Sequence, residues 1–458
     1  MSKREPTLEE ILIEHVANTC YDDLDGQSID CCKKLILDTL GVAFPGSRAP
    51  GCPAVVDLIG SWQTEKGATV LLSGVQAPPP MAAMANSTMM HAMDFDDTLD
   101  ASALHTFVSV LPAALAAAEH CEKISGKELM TALVLGVDVI CRLSMAIERP
   151  LSWIRTATCG SFGAAAAAAK ILGLDREGIF NTLGIVYGQT SGNAQGLIEG
   201  RLVKRMQPGF AASAGVLSAL LADRGITGSR HFLTGPYGFY PLYEQGVFNP
   251  DAVTENLGGH QSIVDLSIKP YPSCRMTHAS IDAALALRDR VLPADGIERI
   301  DVSVAAMAAE MVGKPFRIGT DPQVDAQFSI PYTTACALVR GDVFLPDFES
   351  DAIADPRVMD LAKRVHVTAD QDLAAKDILP ARMTVTTRSG DRVSEEVSVP
   401  LGNPLKPMSL AHCRSKFHKC IDFSGIAMEA AARNELFDRV ADLESLADVW
   451  DLVGLMAG

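Results

Sequence analysis

Ten residues, Gly160 to Ala169, read Gly-Ser-Phe-Gly followed by six alanines. Alanine is the best helix former because it loses no side-chain freedom in a helix. A helix built this way carries almost no bulk, so other helices can approach it closely. The stretch is expected to be a central helix around which the others pack. Most of residues 1 to about 260 also reads as helix. Thr7-x-x-Glu10 and Ser125-x-x-Glu128 are capping boxes, in which hydroxyl and carboxylate each satisfy a free N–H group. The first opens an amphipathic run to Cys20, the second a long apolar helix to about Ile147. Ser28 is expected to cap a helix ending near Gly41, and Met81 to Asp94 to form another. Residues 67–75 read as a short hairpin or extended excursion.

The pattern changes near residue 262. SIVDLSIKPY (262–271), RIDVSV (299–304) and RVHVTAD (364–370) read as strands, with a helix over 277–291. Residues 383–399 alternate like a hairpin with Ser389-Gly390-Asp391 at its turn. Helix resumes from about Leu410. The expected fold class is mainly α. Residues 1–265 and 404–458 make a large all-helical domain from both chain ends, and residues 266–403 an inserted α+β domain. A chain of 458 residues exceeds what one core usually serves, which agrees with two domains. The cleft between them is a usual place for a small-molecule site.

A net charge of −17 argues against nucleic acid or an anionic membrane as partner, since both call for a basic surface. The 11 cysteines include no C-x-x-C pair, and the N-terminus lacks the apolar core of a signal peptide. Reduced thiols and a cytoplasmic location are expected. No stretch reaches 18 uncharged apolar residues, so no transmembrane helix is expected.

Three constellations carry chemistry. From His91 to His105, two imidazoles, four carboxylates and two hydroxyls fall within fifteen residues, next to an apolar run. Buried acids cost several kcal/mol unless paired or used. A helix through His91 would put His91, Asp94 and Thr98 on one face. Solvated turn, metal site and acid–base cluster are all open for this segment; the absence of a recognised metal loop favours no metal. Next, Arg201, Lys204 and Arg205 precede an apolar helix. Cations at a helix start oppose its dipole unless an anion binds there. Last, Lys269-Pro-Tyr-Pro-Ser-Cys274-Arg275-Met-Thr-His278 leaves a strand for a helix, and its prolines hold Lys269, Tyr271 and Cys274 at fixed positions. Cationic segments in an acidic protein suggest a small polyanion, most simply a di- or tricarboxylate. No GxGxxG, P-loop, G-x-S-x-G or HExxH motif occurs.

The chain resembles the MmgE/PrpD family, which includes 2-methylcitrate dehydratase, cis-aconitate decarboxylase and iminodisuccinate epimerase. The resemblance rests on HAMDFDDT (91–98) with His105, CGSFGAAAAAAKILGL (159–174), GRLVKRMQPGFAASAGVLSALLADRGITG (200–228), KPYPSCRMTHASIDA (269–283), FSIPY (328–332) and LGNPLKPMSLAHCRSKF (401–417). It implies that the inserted domain is a lid, that the protein is a homodimer, and that the cleft works without metal or organic cofactor. It implies Asp94, His105, Lys204, Lys269 and Tyr332 as catalytic residues. His91, Thr98, Arg155, Arg205, Cys274 and Arg275 complete the expected substrate-binding set. Three departures stand out: Ile154 where two branches carry a histidine, His105-Thr106 where His-Pro is usual, and Gln207 in place of another histidine. The expected reaction is loss of water from a 2-methylcitrate-like substrate. Epimerisation, decarboxylation and a catalytically silent carboxylate-binding dimer are the alternatives.

Overall fold

The computed structural model describes residues 4–150, 152–291, 293–319, 321–374 and 379–458. Two compact units emerge, Met1–Leu266 with Ser409–Gly458, and Ser267–Met408. Helix dominates; among the described residues the sheets have two and four strands.

In the first unit, helix α1 (Leu8–Asn18) opens on the expected capping box: Glu10 N donates to Thr7 Oγ1 at 3.3 Å and Thr7 N to the Glu10 carboxylate at 2.9 Å. Helix α2 (Gly26–Ser47) departs from expectation at both ends. Asp25, not Ser28, caps it, its carboxylate accepting Ser28 N at 2.7 Å. It also runs past Gly41, because that glycine serves packing. A Cβ there would lie 3.2 Å from the Phe417 backbone. Strands β1 (Ala68–Val70) and β2 (Val75–Ala77) form the short antiparallel hairpin. Helices α3 (Pro79–His91), α4 (Phe107–Ala118), α5 (Gly126–Met145), α6 (Arg155–Ile171) and α7 (Val203–Asp223) follow. α6 is the small-residue helix, buried without interruption from Thr156 to Ala169. A Cβ on Gly163 would lie 2.5 Å from the Gly136 carbonyl of α5, and one on Gly215 of α7 would lie 2.6 Å from Ala164 Cβ. Small residues are what admit α5 and α7 this close.

The second unit holds helix α8 (His278–Val291), strand β3 (Ile297–Val304), helix α9 (Ile330–Arg340), and strands β4 (Val365–Ala369), β5 (Ala381–Thr387) and β6 (Arg392–Val397). The sheet order is β4-β3-β5-β6, with β3 and β4 parallel and the other pairs antiparallel. Alternate residues Ile300, Val302 and Val304 of β3, with Met383 and Val385 of β5, enter its core. SIVDLSIKPY is not the expected strand. Ser262–Asp265 is a 3-10 turn. Asp138 of α5 takes the Ser262 N–H and hydroxyl at 3.0 and 2.7 Å, donors a strand would use otherwise. A short apolar run does not by itself distinguish a strand from a buried turn.

Helix α10 (Leu410–Ser424) returns to the first unit and packs along α2, where Phe417 meets Phe44 edge-on at 6.1 Å. No helix among the described residues is long and apolar enough to cross a membrane.

Candidate active site

The acid–base cluster begins where α3 ends. The helix stops at His91, and Asp94 has φ +53, so His91, Asp94 and Thr98 do not share a helical face as expected. Left-handed backbone costs a non-glycine residue on the order of 1 kcal/mol or more and persists where surroundings fix it. What brings the groups together is the fold of the segment. Asp97 accepts Thr106 N, Thr106 Oγ1 and Phe107 N at 2.9, 2.8 and 3.1 Å, satisfying free N–H groups at the start of α4. Leu99 and Leu104 pair backbone to backbone, closing the intervening loop. His105 therefore returns beside the residues that precede the loop.

Asp96 lies at the centre. Its Oδ2 is 2.9 Å from His91 Nδ1 and 3.0 Å from His105 Nδ1. The two rings meet at 4.9 Å between centroids, 70° apart. Burial opposes ionisation of Asp96, but His105 and then His91 outweigh it and hold the carboxyl well below its ordinary range. The Lys204 ammonium, in the first turn of α7, is 3.1 Å from His91 Nε2 and 3.3 Å from Asp94 Oδ1. Burial, then the Lys204 charge, pushes His91 down to about 4. At neutral pH the ring is thus uncharged. Its Nδ1–H donates to Asp96, and its Nε2 lone pair accepts from Lys204. His105 Nε2 lies 4.0 Å from Asp94 Oδ1.

The anion expected near the start of α7 is supplied partly from within, by Asp94. Burial is graded: Asp96 and His91 are sealed, whereas His105, Asp94 and Lys204 are 16, 19 and 29 % exposed at the side chain. The exposed edge thus presents an imidazole, a carboxylate and an ammonium together, a set able to bind a carboxylate and move a proton beside it. His91, Asp96 and His105 are also the one group among the described residues close enough to hold a metal ion.

The other expected residues are placed as follows. Thr98 is buried. Arg155 donates to Ser102 Oγ at 3.1 Å and to the Arg149 carbonyl at 2.8 Å, bracing the loop before His105. Arg205 donates to the Pro50 carbonyl at 2.9 Å, so that N–H group is engaged by backbone. Gln207 clamps the Asn193 backbone, its Oε1 accepting Asn193 N at 2.8 Å and its Nε2 donating to the Asn193 carbonyl at 3.0 Å. Ile154 is the residue preceding α6. In the second unit Lys269 is buried. Arg275 donates to the Leu401 carbonyl at 3.1 Å and Ser267 Oγ at 3.2 Å, and Cys274 N donates to the Gln327 carbonyl at 2.9 Å. The Tyr332 hydroxyl donates to the Asp347 carbonyl, and its ring packs between Phe316 and Phe348. The sequence presents Asp96 as one acid among four and does not single it out, because centrality in a loop has no local signature.

The MmgE/PrpD N-terminal domain matches residues 10–250, and the MmgE/PrpD C-terminal domain residues 271–443. The chain belongs to the MmgE/PrpD family. It is similar over nearly its whole length to cis-aconitate decarboxylases. That of Aspergillus terreus is 28 % identical over 96 % of this chain and 94 % of its own. Those of Mus musculus and Homo sapiens are 29 and 28 % identical over 92 and 93 % of this chain, and 86 and 89 % of their own. The MmgE/PrpD C-terminal match includes α10, which packs in the first unit, so family domains and spatial units divide the chain differently.

Proposed function

We propose that the protein is a lyase acting on a small di- or tricarboxylate without metal or organic cofactor, through a carbanion formed next to a carboxylate. The observation that carries this reading is the Lys204 ammonium, held by His91 and Asp94 at an edge shared with His105. A proton α to a carboxylate is barely acidic. A fixed cation lowers the cost of the charge its removal creates. His105 presents an imidazole at that edge, a ring whose nitrogens can both accept and donate a proton. Membership of the MmgE/PrpD family supports the same class of activity.

In the dehydration reading a base takes the α-proton and its electron pair forms the double bond. The β-hydroxyl leaves as water once His105 has protonated it. Asp94 is the base or orients His105. The second unit is read as a lid that supplies Lys269 as a further cation, and the working protein as a homodimer. A second reading, decarboxylation of an unsaturated tricarboxylate, is favoured by the likeness to cis-aconitate decarboxylases. Ile154 offers no proton there, so His105 would have to reprotonate the carbanion.

Incubation with 2-methylcitrate, citrate, cis-aconitate and iminodisuccinate in deuterium oxide, followed by proton NMR, separates these outcomes. A new vinylic signal without release of carbon dioxide supports dehydration, and release of carbon dioxide supports decarboxylation. Deuterium at the α-carbon with no loss of mass supports epimerisation. Lys204→Ala should lower kcat by about a hundredfold or more with little change in Tm. Full activity in that variant would remove Lys204 from the reaction. Lys269→Ala tests in the same assay whether the second unit contributes a cation.

A further inference from the structure

Lys416 of α10 is 321 residues from Phe95, yet its Nζ donates to the Phe95 carbonyl at 2.7 Å. The same ammonium is 2.7 Å from Asp38 Oδ1 of α2 and 3.7 Å from the centroid of the Phe95 ring. The Lys416 side chain is 4 % exposed and that of Asp38 is sealed. A buried ammonium is tolerated only with partners of this kind.

The gripped residue matters more than the grip. Phe95 lies between Asp94, which holds Lys204, and Asp96, which meets both imidazoles. Asp94 is the residue with φ +53. Strained backbone of this kind needs an external restraint, and Lys416 takes the carbonyl and the ring of the very next residue. We propose that Lys416 is a positioning residue: it fixes the peptide between Asp94 and Asp96, so that one carboxylate faces Lys204 and the other the two imidazoles. Asp38 anchors Lys416 in turn. Burial pushes the Asp38 carboxyl up to about 6; the Lys416 charge pulls against this, and Asp97 and Asp96 add to it. Lys416 thus meets a carboxylate that is itself crowded by the charges of Asp97 and Asp96. The last part of the chain sets the geometry of a site built from its first half.

The test uses the full-length protein. Lys416→Met alone strands Asp38 as a buried charge, so its loss of stability would be uninformative. The double variant Lys416→Met with Asp38→Leu removes both charges. Expected is a Tm close to that of the parent, with kcat still at least about tenfold lower and KM changed less than about threefold. The His91 ring, followed by imidazole NMR, should titrate nearer the ordinary value of about 6.5. A stable double variant with parental kcat and parental His91 titration overturns the proposal. The kinetic arm rests on the lyase reading; the NMR arm does not, and it decides the matter alone if no substrate is turned over. Should the double variant fail to fold, Asp38→Asn removes only the anchor's charge. A moved His91 titration then supports the proposal and an unmoved one overturns it.

Discussion

His91 shows how one side chain's surroundings define its chemistry. In an unfolded chain it takes a proton at an ordinary value of about 6.5. In the folded protein burial and Lys204 delay that uptake until about pH 4. Between these values the unfolded state binds more protons than the folded one, so stability falls as the pH is lowered through the window. The loss should reach on the order of 3 kcal/mol once the pH is below 4. Asp38 acts with the opposite sign between its ordinary value and about 6, because there the folded carboxyl keeps a proton that the unfolded chain releases. The informative quantity is therefore the difference between parent and His91→Gln, whose amide does not titrate. Urea unfolding from pH 7 to 4.5 should show a flatter acid limb for the variant. An identical slope would mean that His91 is not held neutral.

At the scale of elements, composition spoke clearly where it had a direct geometric consequence. Small residues in α6 announced a helix crowded by others, and Gly215 meets it where even a Cβ would lie 2.7 Å from Ala164 and Ala165 backbone. Gly215→Val should cost about 2–3 kcal/mol through overpacking, read as a fall in Tm. A Tm within about a degree of the parent's would mean that α7 can shift away from α6 without cost. Capping boxes at Thr7 and Ser125 were equally legible, because the donors and acceptors are neighbours in sequence. Gly41 and the run at 262–271 misled for the opposite reason. One is small for the sake of Phe417, the other is shaped by Asp138, and neither partner is near in sequence.

For the molecule as a whole, the chain's two ends share one unit. Val203, Phe210 and Leu217 lie seven residues apart on α7 and are 42, 39 and 39 % exposed. This spacing places them in one stripe along the helix. On a chain of net charge −17, two copies repel one another, and an exposed apolar stripe is the kind of surface whose burial offsets that repulsion. If the protein is a homodimer through this face, Phe210→Glu should raise the dissociation constant at least about 30-fold, measured by sedimentation. An unchanged constant, or a parent that is monomeric, would locate the interface elsewhere or remove it.

The amino-acid order alone determined the helical character of the first unit, an extended segment at 67–75, the strands at 299–304 and 364–370, and the residue types of the acid–base cluster. Those depend on local propensity, capping and periodicity, which act over a few residues. Only the tertiary structure decided that Asp96 is central, that Lys204 meets Asp94 and His91, that Tyr332 hydrogen-bonds the Asp347 carbonyl, and that Lys416 grips Phe95. Lys416 did leave a trace, lying beside Phe417 and between the buried Cys413 and Cys420 on one side of α10. Periodicity could say that it faces inward. It could not say toward what, because the choice of a buried charge's partner is made by packing between segments hundreds of residues apart.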